Sequence, residues 1–146
     1  MSDPPLPTIQ PHFHTVDVDH FDGSNDRTWQ QAYYVNDFHW ARKADSPVFL
    51  CVGGEGPPLD GSAVVWSDHC SIAVELLSAT GGILFAVEHR YYGCHNTSAC
   101  PVPDVTAPGA LRFLSSRQAL ADLAAFHSHA VATYGLTRAQ KWISSG

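Results

Sequence analysis

The sequence predicts an α/β domain built on a mixed sheet, with parallel central strands and helical crossovers. Three observations carry this expectation. Val48-Phe-Leu-Cys-Val52 and Ile83-Leu-Phe-Ala-Val87 are short, continuously apolar runs of the kind found in strands covered on both faces. Helix-spaced apolar residues follow each run, and a crossover of that kind is what a parallel pair of strands needs. Two earlier segments alternate polar and apolar residues around a turn-rich cluster, as an antiparallel pair does.

Taken in order, residues 1–11 hold four prolines and no periodic pattern, and are expected to be a disordered leader to a domain spanning 12–146. A strand is expected from Phe13 to about Phe21, where Val16 and Val18 alternate with Asp17 and Asp19, followed by the turn cluster Asp22-Gly-Ser-Asn-Asp26. A second runs from about Trp29 to Phe38, rich in aromatic and branched residues. The buried strand 48–52 ends in Gly53-Gly-Glu-Gly-Pro-Pro58. Ser67 or Asp68 is then placed to cap a helix with Ile72, Ala73, Leu76 and Leu77 on its inner face and Gly81 as its stop. After strand 83–87 comes an irregular stretch to about Gly109. Ser115 or Ser116 caps a longer helix whose inward positions are Ala119, Leu120, Leu123, Ala124, Ala130 and Val131, with Gly135 at its end. Lys141-Trp-Ile-Ser-Ser-Gly146 reads as a third buried strand. The chain ends there without the helix that normally covers such a strand, so it is expected to be an amino-terminal piece of a larger domain.

Composition narrows the function classes. Among 146 residues, 8 Lys+Arg stand against 14 Asp+Glu, a net charge of -6, and the basic residues form no stripe, so nucleic acid is not an expected partner. The longest apolar runs fall far short of the ~18 residues that span a bilayer, so no membrane is expected either. No basic and apolar signal segment opens the chain, which is read as truncation at that end too. Cys94-His-Asn-Thr-Ser-Ala-Cys100 can close a short disulfide loop, and Asn96-Thr-Ser within it is a glycosylation sequon; together they point to an oxidising, secretory or lysosomal compartment. His12 and His14 can share a strand face, but they lack a third ligand, and His127 and His129 do not share a helix face, so neither metal nor cofactor is expected. Tyr33, Tyr34, Tyr91 and Tyr92 are expected to pack rather than line a pocket.

In open α/β sheets chemistry sits beyond the carboxyl ends of the strands. The loop after Val52 has neither the Walker nor the dinucleotide glycine spacing, but a glycine pair there suits close approach of backbone to substrate. In α/β-hydrolases this loop gives an N–H to the oxyanion hole, which makes Gly54 and Glu55 the oxyanion candidates. Glu55 is also placed to meet a substrate amino group. At the end of the next strand, Glu88 is a candidate substrate contact, while Arg90 is expected to pair with a carboxylate and fix the loop. No G-x-S-x-G is present: Ser144 and Ser145 lie in a strand and are poor nucleophiles, and Gly146 is expected to be the first elbow glycine, with the nucleophile just after it.

Asp19-His-Phe21, Thr28-Trp-Gln-Gln-Ala-Tyr-Tyr-Val-Asn-Asp37, Pro47-Val-Phe-Leu50 leading to Gly53-Gly-Glu-Gly-Pro57, Glu88-His-Arg-Tyr-Tyr-Gly93 and Leu111-Arg-Phe-Leu-Ser-Ser-Arg-Gln-Ala-Leu-Ala-Asp122 together resemble the amino-terminal third of the prolyl carboxypeptidase family of serine peptidases. The resemblance covers residues 13 to 146. It implies an α/β-hydrolase fold with an inserted helical domain, and a Ser-Asp-His triad that cleaves peptides, often after proline. It also implies Gly-Gly-Ser-Tyr-x-Gly directly after Trp142-Ile-Ser-Ser, so that the serine, the helical domain and the later Asp and His all fall outside these 146 residues. Ser145 replaces a bulkier residue, and the Cys94 to Cys100 loop replaces a simpler turn. The alternatives are a non-catalytic short product and a different α/β-hydrolase such as an esterase.

Overall fold

Alternation shapes the first two strands. In the computed structural model, which describes residues 9–66 and 69–146, β1 (His12–Asp17) buries His14 and Val16 on one face and exposes their neighbours. It pairs antiparallel with β2 (Thr28–Asn36), with His14 opposite Gln31 and Val16 opposite Trp29. β3 (Val48–Val52) and β4 (Ile83–Val87) occupy the bounds that their apolar runs predict, pair in parallel, and lie at the centre of a five-stranded sheet ordered β1-β2-β4-β3-β5. β2 meets β4 antiparallel, so the sheet is mixed.

Side chains of the central strands point alternately to the two faces, and each face has its own helix. Phe49, Cys51, Leu84 and Ala86 pack with Ala73 and Leu77 of α1 (Ser71–Thr80). Val48, Ile83, Phe85 and Val87 pack with Phe126 and Ala130 of α2 (Ser116–Tyr134). A third cluster of Val16, Val18, Trp29, Val102 and Phe113 closes the β1 side. Gly81 and Gly135 end the helices at φ 65° and 63°, the left-handed conformation that glycine adopts without strain, and the Ser115 hydroxyl caps α2 by accepting from the Gln118 N–H. Among the described residues, no helix is long and apolar enough to cross a membrane.

Several expected positions move. In α1, Ile72 and Leu76 are exposed (73% and 41%), because the inner stripe runs one residue later, through Cys70, Ala73 and Leu77. In α2, Leu120 and Ala124 face outward, and the inner stripe is Gln118, Asp122, Phe126 and Ala130 at strict four-residue spacing. Two polar residues hold inner positions there because the protein supplies them with ionic and hydrogen-bonding partners. β5 (Trp142–Ser145) pairs in parallel with β3 and, among the described residues, is largely exposed. Ser67 and Asp68, the expected caps of α1, lie outside the described residues; the capping position is Cys70, which makes no side-chain cap bond. Residues 1–8 of the leader also lie outside, while Ile9 is half-buried against the α1 cluster.

Candidate functional site

The exits of β3, β4 and β5 converge. The Gly53 N–H donates to Val87 O (2.8 Å), and a Cβ on Gly53 would stand 2.7 Å from Val87 O and 3.0 Å from His89 N, so only glycine lets the two exits lie flush. A Cβ on Gly146 would stand 2.8 Å from Val52 O, which puts the end of β5 against the same exit. Ser144 and Ser145 lie in β5 opposite Leu50 and Cys51, with no hydrogen bond to a histidine among the described residues. Beyond Gly53 the loop opens. Gly54 and Glu55 are exposed, nothing lies within 4 Å of a Cβ built on Gly54, and neither backbone N–H has a hydrogen-bond partner among the described residues.

The loop is tied down again at Leu59. Its N–H donates to Glu88 Oε1 (2.9 Å), and its carbonyl accepts from the Tyr34 hydroxyl (3.2 Å). The other carboxylate oxygen, Glu88 Oε2, meets His95 Nε2 at 3.1 Å. Glu88 is 3% exposed, and burial pushes its carboxyl above the usual range. The expected substrate contact from Glu88 is therefore corrected: its two oxygens are both engaged inside the protein, beneath the loops. Gly93 packs so closely on this carboxylate that a Cβ there would overlap it. His95 and Asn96 belong to the loop closed by a Cys94–Cys100 disulfide. Asn96 is exposed, and its Oδ1 accepts from the N–H groups of Ser98 and Ala99 and from the Ser98 hydroxyl.

Deeper in the fold, Arg90 is fully buried and makes a two-pronged pair with Asp122, Nε to Oδ2 and Nη2 to Oδ1, each 2.7 Å. Its remaining donors reach the carbonyls of Asp17, Val18 and Phe113. His20 Nε2 lies 2.7 Å from Asp122 Oδ1, the His20 N–H donates to Gln118 Oε1, and Gln118 Nε2 donates to Asp19 Oδ1. Three separate motifs thus meet in one network. Hydrogen bonds from the Phe21 N–H and from Gln118 hold the Asp19 carboxyl below the usual range. The turn that sends Arg90 inward places Tyr91 at φ 71°, rare for a bulky residue, where its hydroxyl donates to Ala110 O (2.7 Å). Asp122 Oδ1, the atom that meets His20, also accepts from Arg90 Nη2, so one carboxylate serves both residues.

Between these two regions, His14 Nε2 contacts Gln31 Oε1 (2.7 Å), and Gln31 Nε2 donates to Glu88 O (2.8 Å). The His14 ring stacks on His129 at 4.9 Å, and burial lowers its pKa to about 4. His12 instead stacks on Tyr33, and His127 packs on Trp142. Tyr33 and Tyr34 are buried packing residues, as their sequence context suggests. Sequence reasoning misses the second disulfide, Cys51–Cys70, because nothing in a 19-residue separation marks it. Cys51, His69 and Cys70 bring ligand-type atoms within 4.8 Å of one another, but the disulfide uses both sulfurs. An open cleft of about 480 Å³, bounded by Ile9, Val35, Phe38, Val65 and Leu77, lies at the opposite end of the sheet, near the start of β4.

Residues 16–146 match the model of the serine carboxypeptidase S28 family. A putative serine protease of Caenorhabditis elegans is 39% identical over 134 residues, 90% of this chain and 24% of that protein. The human thymus-specific serine protease is 36% identical over 129 residues (88% and 23%), and the mouse lysosomal Pro-X carboxypeptidase 33% over 132 residues (88% and 25%). The chain spans about a quarter of the length of these relatives. A solved cold-adapted esterase from an Arctic intertidal metagenomic library aligns with 94% of this chain and 50% of its own, at 18% identity and a TM-score of 0.48. The family match over nearly the whole chain, joined to the mixed α/β sheet, settles the assignment: this chain belongs to the serine carboxypeptidase S28 family, a family of serine peptidases with the α/β-hydrolase fold.

Proposed function

We propose that residues 1–146 form the amino-terminal part of a serine exopeptidase that cleaves peptides near proline, and that the N–H groups of Gly54 and Glu55 hold the oxyanion. The observation that carries the reading is the meeting of three strand exits beside two amides that have no hydrogen-bond partner among the described residues. In this scheme a serine following Gly146 attacks the peptide carbonyl carbon and passes its proton to a histidine supplied later in the chain. The carbonyl oxygen gains the negative charge and turns toward the loop amides. Collapse of that intermediate expels the amine, which takes the proton from the histidine, and water then releases the acyl group. Gly53 keeps the loop flush with β4, so the amides are fixed before charge develops, which is the condition under which such donors accelerate a reaction. Glu55, exposed on the same loop, is available to a substrate amino group.

A secretory, lysosomal or extracellular setting fits the two disulfides and the names of relatives that include a lysosomal Pro-X carboxypeptidase and a probable extracellular serine carboxypeptidase from Arthroderma benhamiae. Residues 1–146 alone are expected to turn over no peptide, because the reading puts the whole triad elsewhere. The test is to express the whole protein, label it with a serine-directed fluorophosphonate, and assay peptides ending in Pro-X against peptides beginning with X-Pro. Labelling with release from one of the two series is the expected result. Hydrolysis of esters without peptides would favour a different α/β-hydrolase activity, and absence of labelling would overturn the proposal.

A further inference from the structure

Resting on that reading, the geometry points to Glu88 as the positioning residue of the oxyanion loop, working with Tyr34 through the Leu59 peptide. The loop leaves β3 at Gly53, where its N–H is held by Val87, and returns at Leu59, where the Glu88 carboxylate takes the N–H and the Tyr34 hydroxyl grips the carbonyl. Both anchors come from interior strands of the sheet or their immediate exits. Between them the 54–58 segment is exposed and makes no backbone hydrogen bond among the described residues. The placement of the Gly54 and Glu55 amides therefore depends on the two ends of the loop. A carboxylate is a stronger acceptor for the Leu59 N–H than a neutral group, and in a buried setting that difference grows.

Glu88 also couples this loop to a second one. Its Oε2 meets His95, which sits inside the ring closed by Cys94 and Cys100, and Gly93 leaves room for the carboxylate to lie against the start of that ring. The groups that face Glu88 are His95 and His89 from the following segment, Tyr34 from β2, and the Leu59 N–H from the loop; Arg90 turns away toward Asp122. No substrate can reach the carboxylate, so any effect of Glu88 on turnover must pass through what it holds.

The experiment uses the whole protein, with active enzyme counted by the end point of fluorophosphonate labelling so that rates refer to folded sites. Glu88→Ala is expected to lower kcat by ~10–100-fold per labelled site with KM within about threefold, because oxyanion donors act in the transition state and not on bound substrate. Glu88→Gln, which keeps an oxygen for the Leu59 N–H, should recover at least a third of the loss on a logarithmic scale. Tyr34→Phe, which removes only the hydroxyl on the Leu59 carbonyl, should lower kcat by about threefold with KM unchanged and decides the matter if Glu88→Ala fails to fold. A kcat within twofold of the parent in Glu88→Ala, or in Tyr34→Phe where the first is insoluble, overturns the inference. So does a rise in KM at constant kcat, the signature of a substrate contact. If the parent protein is not labelled at all, the proposed function itself has failed, and that outcome is distinct from either.

Discussion

Two regions at the same end of the sheet are built on opposite principles. Around Arg90 every donor is answered: Asp122, three backbone carbonyls and the flanking His20 and Gln118 bind β1, β4 and α2 into one sealed unit. At the neighbouring strand exit, the 54–58 segment is exposed, and the N–H groups of Gly54 and Glu55 are unanswered among the described residues. The contrast teaches how a small domain can present reactive backbone. Amides stay available only if the segment that carries them is held by something other than its own hydrogen bonds, and here the bonds at Gly53 and Leu59 do the holding.

Removing one member of the sealed unit should give the largest effect. Asp122→Ala strands a fully buried guanidinium, and a stability loss of ~3–5 kcal/mol is expected from the denaturant midpoint; a loss under ~1 kcal/mol would mean that the network does not bind the elements together. Next comes the boundary between the regions. Gly53→Ala forces a methyl into Val87 O and should cost ~1–3 kcal/mol, whereas Gly54→Ala meets open space and should stay within ~0.5 kcal/mol. Equal effects at the two glycines would erase the distinction between a flush exit and an open loop.

The smallest effect concerns acid. The folded His14 pKa of about 4 lies below the ordinary imidazole value of 6.5, so between those values the unfolded chain binds a proton that the folded chain refuses. Stability contributed by His14 is therefore full above pH 6.5 and is lost as pH falls toward 4. Thermal unfolding should show a drop of about 3–5 °C between pH 7.5 and 5 that His14→Gln reduces, and an unchanged slope in that variant would remove His14 from the account.

Much of the fold is legible in the sequence. β3 and β4 can be bounded to the residue, because a strand covered on both faces has no polar positions to blur its ends. The helices are located by their glycine stops, but their inner faces escape wherever a polar residue is buried or an apolar one is not. Gln118 and Asp122 look like surface residues until His20 and Arg90 arrive from the segments that follow β1 and β4, and no local pattern announces that. Leu120, at 66% exposure, is the converse case. For the site, the glycine pair points to the loop with the open amides, and Arg90 binds a carboxylate as its position suggests. The part that escapes is Glu88: a charged residue at a strand exit suggests contact with a ligand, and only three dimensions reveal that Leu59, Tyr34 and His95 have already claimed its surroundings.

The Cys51–Cys70 disulfide links the penultimate residue of β3 to the capping position of α1 and so encloses the entire 52–69 excursion in a covalent ring. A single peptide-bond break anywhere in that excursion, including between Gly54 and Glu55, would leave both pieces attached through sulfur. Such a nicked chain would migrate intact on a gel without reductant and separate into two bands with it. An exposed segment of the domain can thus be cut by a neighbouring protease without the molecule coming apart.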